Sequence, residues 1–105
     1  MTSKEFDKVM AEQLGRCESL LGSKGEEYAN DRDRLQHFKK AGILMNCDPK
    51  AALFGMLLKH LISVSDMCTD GRSYGLDRWN EKITDSINYM LLLRGLVEEE
   101  KNEQN

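Results

Sequence analysis

The first segment of the chain carries apolar residues at a helical period. They recur every three to four residues and are Phe6, Met10, Leu14, Cys17 and Leu21. Such a stripe is typical of an amphipathic helix. Thr2 or Ser3 precedes it as a capping residue. Gly22 and Gly25 each weaken a helix by about 1 kcal/mol relative to alanine. We therefore expect the first helix to break near these glycines or to continue to about Ala29.

A polar turn at residues 30–33 separates this helix from a second, shorter one. Either Asp31 or Asp33 can cap the second helix, which ends near Asn46. Its apolar positions are Leu35, Phe38, Ala41, Gly42 and Met45. We expect this helix to present one apolar side to the core.

The third helix has the clearest start in the chain. Asp48 is a favourable N-cap and Pro49 suits the first helical position, so the helix should run from Pro49 to about Cys68. Its apolar face contains Leu53, Met56, Leu57, His60, Leu61, Val64 and Met67. Gly71 can adopt the left-handed conformation that often ends a helix. The Gly-containing segment 69–77 shows no periodicity and is expected to be a loop.

The fourth helix is expected to run from Asp77 to about Glu99 and to have two distinct faces. At about 100° per residue, one broad apolar face forms. It consists of Trp79, Ile83, Ile87, Met90, Leu93 and Val97. A polar stripe opposite it consists of Glu81, Asp85 and Asn88 and continues as Leu92 and Leu96. Because both sides become apolar, we expect other helices or a second subunit to cover both.

Four helices with short connections predict an all-α protein, a compact antiparallel bundle of four helices. The 105 residues form one domain, with a polar tail from about residue 99. A hairpin of the third and fourth helices would bring Lys59 near the acidic stripe. The two-sided fourth helix also predicts assembly as a homo-oligomer.

Charge and hydropathy exclude several classes of partner. The net charge is −3 and no basic stripe is present, so nucleic-acid binding is not expected. No window resembles a membrane span of about 18 or more apolar residues, and the N-terminus has no apolar signal-peptide core. We therefore expect a cytoplasmic protein with no membrane partner. Its three cysteines should remain thiols in a reducing compartment.

The acidic stripe of the fourth helix is the first candidate site. Glu81 and Asp85 lie one turn apart and can share a divalent cation, since such ions prefer several oxygen ligands. They can equally form a solvated face or pair with lysine or arginine. Lys24, Glu27 and Tyr28 extend the apolar stripe of the first helix. These side chains would either face a ligand or cover the edge of the core with their apolar parts while their polar ends reach solvent.

The two histidines have different contexts. His60 lies on the apolar stripe of the third helix, where a core histidine is the simpler interpretation. His37 lies near the start of the second helix and could serve either structure or binding. The glycines of segment 22–25 do not form a phosphate-binding P-loop, because no GK[ST] follows them.

Three segments together resemble a known family. They are KGEEYANDRDRLQHFKKAG (24–42), the helix containing LLKH (57–60) and WNEKITDSINYMLLL (79–93). Their order resembles small phage and prophage proteins related to the MazG-like, all-α nucleoside triphosphate pyrophosphatases. Asp85 and Tyr89 match a D-x-x-x-Y pattern of the shortened phage forms. Lys24 and Tyr28 match a Lys-x-x-x-Tyr pattern.

The resemblance implies a magnesium-dependent nucleotide pyrophosphohydrolase. Glu27, Glu81 and Asp85 would bind Mg²⁺, and Glu81 and Asp85 would be catalytic. The implied substrate-binding residues are Lys24, Tyr28, His37, Lys59 and Asn88, with Lys59 on phosphate. The chain departs from the family pattern because Asn30 replaces the third carboxylate of EExxE and because Glu81 and Asp85 are four residues apart, not three.

Three hypotheses follow from these features. The first is a protein that binds a nucleotide or another small phosphorylated ligand and hydrolyses it with Mg²⁺. The second is a non-catalytic phage accessory or inhibitor protein that binds a host protein or sequesters a nucleotide. The third is a purely structural helical oligomer. The missing carboxylate favours the second hypothesis, and the set of charged residues favours the first.

Overall fold

The computed structural model contains four helices, as the hydrophobic pattern predicts. It describes residues 1–27 and 33–103, except for the side chains of residues 23–27. The helices are α1 (Ser3–Glu27), α2 (Gln36–Met45), α3 (Pro49–Thr69) and α4 (Leu76–Glu103). The described part of the chain contains no strand, so the all-α fold class is confirmed.

α1 begins at a capping box. The Glu5 amide donates to Thr2 Oγ1, and the Thr2 amide donates to the Glu5 carboxylate. This reciprocal pair satisfies amides that the first turn of a helix leaves free. The helix then continues through Gly22 and Gly25 to Glu27, so the glycines do not break it.

α2 and α3 are joined by a tight connection. Asn46 adopts a left-handed conformation with φ of 53° and ends α2. Asp48 then caps α3 by accepting a hydrogen bond from the Lys50 amide, with Pro49 as the first helical residue. The end of α2 at Asn46 and the start of α3 at Asp48 and Pro49 therefore agree with the sequence prediction.

Gly42 allows this connection to lie close to α2. A Cβ atom there would lie 2.8 Å from the Cys47 carbonyl oxygen and 3.2 Å from the Pro49 nitrogen. Both atoms belong to the backbone, which cannot move as easily as a side chain. Gly42 is therefore a packing requirement of the α2–α3 turn.

We expect Gly42→Ala to destabilise the protein by about 1–3 kcal/mol through this overpacking. Gly15→Ala is the matched control, because a Cβ atom at Gly15 meets nothing within 4 Å. That change should instead stabilise α1 by up to about 1 kcal/mol. Urea unfolding of both variants measures the difference, and equal stability of Gly42→Ala and the wild type would contradict the packing account.

The core lies between α2, α3 and α4. Its buried residues are Leu35, Phe38, Leu53, Leu57 and Leu96, with Met56, Tyr89, Leu92 and Leu93 packed against them. Leu53 and Leu57 are the largest fully buried side chains. α3 therefore supplies the centre of the core.

α4 runs antiparallel to α3 and alongside α1. The early α3 residue Lys50 pairs with the late α4 residue Glu100, which shows the antiparallel arrangement. Gln13 of α1 donates to Thr84 Oγ1 at 2.8 Å, and residues 20–21 share a cavity with Asn88 and Leu92. α1 and α4 therefore point in the same direction, whereas α3 and α4 form the predicted antiparallel hairpin.

The two faces of α4 are covered unequally. Thr84, Asn88 and Leu96 are buried, whereas Met90 and Val97 on the broad apolar face are exposed. Within the described chain, the side predicted to be polar is thus the one that packs against the other helices. The broad apolar face is covered only in part by this single chain, since Trp79, Ile83 and Ile87 are half-buried and Leu93 packs against the core.

Lys39 ties the start of α2 to the end of α4. Its ammonium group lies 2.6 Å from Asp33 Oδ2 and 2.8 Å from Glu99 Oε2. The hydrogen bonds that Lys39 donates to the Asp33 and Glu99 carboxylates raise the pKa of Lys39. The hydrogen bond from Lys39, together with that from the Leu35 amide, lowers the pKa of Asp33.

We expect Lys39→Met to cost about 1 kcal/mol at neutral pH, because both ion pairs are partly solvated. The lowered pKa means that Asp33 stabilises the fold above its unfolded pKa of about 3.9 and loses this effect as pH falls through its folded pKa. Urea unfolding at pH 7 and at pH 2–3 should show a smaller stability difference at low pH. An undiminished difference at low pH would contradict the ion-pair account.

α3 alone among the described helices is long and apolar enough to cross a membrane. It has 21 residues and a window of mean hydropathy 1.3, although the sequence pattern suggested no such segment. Core helices of soluble proteins meet the same criterion. Only 22% of this window is buried; Leu53 and Leu57 lie on the side that packs into the core.

Candidate functional site

A cavity of about 220 Å³ lies where all four helices approach one another. Leu20 and Leu21 of α1 form one wall, and the middle of α4 forms another. Phe38 of α2 and Met56 of α3 complete the apolar lining. The cavity is therefore bordered by the same side chains that connect α1 to the rest of the core.

Asn88 is the most unusual residue of this cavity. Asn88 is only 5% exposed, and among the described residues neither its amide oxygen nor its amide nitrogen has a hydrogen-bond partner. A buried polar atom without a partner costs about 1–3 kcal/mol. An asparagine amide that lines a cavity in this state offers one acceptor and a donor group to a ligand.

The rings of Phe38, Tyr89 and His37 line the same cavity as the amide. The Phe38 and Tyr89 rings meet edge to face with centroids 6.4 Å apart. The His60 ring lies against Tyr89 at 5.0 Å, tilted by 33°. His37 packs edge-on against Phe38 at 6.1 Å. These contacts hold the ring of Phe38 and the ring of Tyr89 in the cavity wall as flat apolar surfaces.

Asp85 and His60 place a second polar pair next to the aromatic group. The Asp85 carboxylate oxygen lies 3.9 Å from His60 Nδ1, and both side chains are mostly buried. At this distance the two groups attract each other when the histidine is protonated. Asp85 also lines the cavity, so its carboxylate is available to a ligand.

Arg34 supplies a positive charge at the mouth of the cavity. The residue is exposed yet contributes to the lining. Its guanidinium donates to the Leu21 carbonyl oxygen at 2.5 Å, which connects the segment before α2 to the end of α1. A guanidinium has five N–H donors and is well suited to an anionic group.

The structure brings some of the predicted site residues together and separates others. Asp85, Asn88 and His37 line one cavity. Glu81 and Lys59 are exposed and do not contribute to the lining.

Three further predicted residues cannot be placed. The side chains of Lys24 and Glu27, and all of Tyr28, lie outside the described residues. The predicted grouping of Glu27 with Glu81 and Asp85 is therefore open.

His60, Arg34 and Phe38 are the site residues that the motif comparison did not select. His60 takes the place beside Asp85 for which the sequence suggested Lys59. One residue of difference rotates a side chain by about 100° on a helix, which turns Lys59 outward and His60 toward α4. The position of His60 on the apolar stripe of α3 was the available signal.

The described carboxylates do not form a metal site by themselves. Among the side chains that the structure describes, no three His, Cys, Asp or Glu residues are grouped closely enough to hold a metal ion. Asp85 faces the cavity while Glu81 is exposed. The described side chains therefore do not by themselves form a protein cage for Mg²⁺.

The cavity presents an amide, a guanidinium, a carboxylate, an imidazole and a phenol to a ligand, and the aromatic rings of Phe38 and Tyr89 form part of its wall. This combination suits a flat, partly polar molecule with a negatively charged group. No family model, curated protein or solved structure matches the chain.

Proposed function

We propose that the protein binds a nucleotide, with the base in the cavity beside Asn88 and the phosphates toward Arg34. The observation that carries this proposal is the buried Asn88 amide, whose oxygen and nitrogen both lack a hydrogen-bond partner in the part of the chain that the structure describes. A ligand that pairs with both atoms would offset the cost of burying them. A nucleobase edge has adjacent donors and acceptors of this kind, and asparagine pairs with two atoms of adenine in this way.

The size and walls of the cavity support a base as the buried part. Its volume of about 220 Å³ is below the ~300–1,000 Å³ of pockets that enclose a drug-sized ligand. It can therefore hold a ring system but not a whole nucleotide. Bases stack favourably on aromatic side chains, by about 1–3 kcal/mol each, and Phe38 and Tyr89 supply such surfaces.

Arg34 supports the placement of the phosphates. It is exposed at the cavity mouth, where a sugar–phosphate group attached to a bound base would emerge. A guanidinium can bind phosphate oxygens in a two-point geometry. The net charge of −3 makes such a local cation more important, since the protein as a whole does not attract anions.

Nucleotide binding is common to both the MazG-like hydrolase hypothesis and the sequestration hypothesis. The carboxylates of the described residues do not by themselves supply the metal site that hydrolysis would need. Binding is therefore the function proposed here, and release of pyrophosphate is the observation that would extend it to catalysis. Binding to a host protein remains a separate prediction from the sequence.

Equilibrium dialysis with a panel of nucleoside triphosphates, with and without Mg²⁺, tests the proposal. We expect at least one nucleotide to bind, and we expect it to be recovered intact if the protein sequesters it. Recovery as the monophosphate and pyrophosphate would instead show the hydrolase. The absence of binding by every nucleotide, in either condition, would refute the proposed function.

We expect Arg34→Met to weaken nucleotide binding by about tenfold, the effect of losing one charge-assisted hydrogen bond. Arg72→Met is the matched control, because Arg72 is also exposed but lies in the α3–α4 loop. It should bind nucleotide as the wild type does. Dialysis at two salt concentrations should also show a weaker salt dependence for Arg34→Met, and equal affinities of both variants would contradict the role of Arg34.

A further inference from the structure

We infer that Asp85 makes the site selective for nucleotides whose base carries an exocyclic amino group. Adenine, cytosine and guanine belong to this class, whereas hypoxanthine, uracil and thymine carry oxo groups and no amino group. The inference rests on the proposed binding of a base beside Asn88, and it adds the chemical group by which the base is chosen. The Asp85 carboxylate and the Asn88 amide line one cavity, and this juxtaposition carries the inference.

Asp85 and Asn88 are neighbours on the side of α4 that lines the cavity. They are three residues apart in sequence, and side chains at this spacing on a helix have Cβ atoms about 5–6 Å apart. Two acceptors that share the two N–H groups of one amino group lie about 5 Å apart, given hydrogen bonds of about 2.9 Å. One amino group of a ligand can therefore donate to Asn88 Oδ1 and to the Asp85 carboxylate at once.

The carboxylate of Asp85 differs from an amide because, when ionised, it only accepts hydrogen bonds. A ligand atom placed against it must therefore donate, and an oxo group would bring an acceptor to an acceptor. Such a pair leaves the ligand oxygen without a partner, which is unfavourable where water is excluded. The Asp85 side chain is 27% exposed, so water offsets part of this penalty.

His60 leaves the carboxylate able to accept from a ligand. The His60 Nδ1 atom lies 3.9 Å from Asp85 Oδ2, which exceeds the length of a hydrogen bond. A carboxylate has two oxygens with about four lone-pair sites. Asp85 can therefore accept hydrogen bonds from a base while His60 stays beside it.

The other polar side chains inside the cavity do not distinguish an amino group from an oxo group. The Asn88 amide and a neutral His37 imidazole each contain a donor and an acceptor, and the Tyr89 hydroxyl can donate or accept. Arg34 only donates, but it is exposed at the cavity mouth, on the side proposed for the phosphates. Asp85 is therefore the lining residue whose chemistry discriminates between bases.

Each base of the amino class can pair with both residues. Adenine can pair N6–H and N7 with the two Asn88 atoms and donate its second N6–H to Asp85. Cytosine offers N4–H and N3 in the same way, and guanine can pair O6 and N1–H with Asn88 and donate its neighbouring N2–H to Asp85. Hypoxanthine and uracil can pair with Asn88 but have no amino group for Asp85.

Equilibrium dialysis of the full chain with ATP, GTP, ITP, CTP and UTP tests the inference. The amino nucleotide that binds most tightly should exceed its counterpart without the amino group, ITP or UTP, by at least about tenfold in affinity. The same preference is expected with and without Mg²⁺, because the base and not the phosphate group determines it. Asp85→Asn should reduce this ratio to less than about threefold, since the new amide can donate to an oxo group.

The ratio of affinities is the quantity to compare between variants, because the loss of a negative charge favours every triphosphate alike. Asp77→Asn is the matched control, since Asp77 is an exposed aspartate in the first turn of the same helix and does not line the cavity. It should keep the wild-type ratio.

ITP or UTP binding as tightly as its amino counterparts would overturn this inference and leave the proposed function intact. This comparison uses the wild type, so it decides the matter even where Asp85→Asn does not fold. An Asp85→Asn variant with an unchanged circular dichroism spectrum that keeps the wild-type ratio would also overturn it, as would an Asp77→Asn variant that loses the ratio. Failure of all five nucleotides to bind would instead refute the proposed function, and this inference with it.

Discussion

Asn88→Leu is expected to make the protein more stable and to abolish nucleotide binding. The free energy of unfolding should rise by about 1–2 kcal/mol, because the change removes a buried amide whose two polar atoms have no partner. Leucine has the same branching and number of side-chain heavy atoms as asparagine, and the adjacent cavity can take up its larger methyl groups. Nucleotide affinity should fall by more than about tenfold, since the ligand loses its paired hydrogen bonds.

The opposite signs of these two effects are the reason for the experiment. Replacing a residue that serves only the fold lowers the stability of the protein. Replacing a binding residue can raise it, because such a residue can be unfavourable in the ligand-free protein. Urea unfolding gives the first quantity and equilibrium dialysis the second. A less stable Asn88→Leu variant that still binds nucleotide would contradict the role of Asn88.

Thr84→Val is the matched control for Asn88→Leu. Thr84 lies one turn earlier on α4 and is equally buried, at 5% exposure. Its hydroxyl is partnered, because it accepts a hydrogen bond from Gln13 at 2.8 Å. We therefore expect Thr84→Val to destabilise the protein by about 1 kcal/mol, since the Gln13 amide loses its acceptor. Opposite stability changes in Thr84→Val and Asn88→Leu would distinguish a buried polar group that has a hydrogen-bond partner from one that is proposed to pair with a ligand.

Leu57→Ala is expected to destabilise the protein by about 3 kcal/mol or more. Leu57 is completely buried in the core formed by α2, α3 and α4. Its truncation removes apolar burial and leaves a cavity, and such changes cost about 2–5 kcal/mol. For a domain of this size the melting temperature should fall by more than about 10 °C.

Thermal and urea unfolding at matched protein concentration measure this effect. Ile43→Ala is the control, since Ile43 lies on α2 and is 79% exposed. Its replacement should change stability by less than about 0.5 kcal/mol. A loss at Leu57 as small as that at Ile43 would show that α3 does not form the centre of the core.

The sequence predicts the helices well because their end signals are local. Asp48 and Pro49 define the start of α3, and both occupy the predicted cap positions. α1 differs, since it passes through Gly22 and Gly25 to Glu27. A glycine costs only about 1 kcal/mol in a helix, which contacts elsewhere along a long helix can offset.

The facing of the helices was harder to predict than their ends. The periodicity of α4 shows two sides but does not say which one meets α3. The structure buries Asn88 and leaves Met90 exposed, although hydrophobicity alone suggests the reverse. Tertiary packing decides this, and the exposed apolar side is then available to partners.

The candidate site was predictable only as far as its residues lie on one helix. Asp85 and Asn88 share one stripe of α4, and both line the cavity. The identity of the neighbour across from Asp85 depends on the rotation of α3, which brings His60 rather than Lys59 to that position. The periodicity of one helix does not show which residues of another helix face it.

The side-chain amide of Asn88 tests the central claim most directly. In ¹⁵N-correlated NMR spectra, its NH₂ signals can be assigned by their absence in Asn88→Leu. We predict that the nucleotide selected by dialysis shifts these signals more than those of any other asparagine side chain, and slows their exchange with water. Saturation of the protein with that nucleotide without any change in the Asn88 signals would contradict the account.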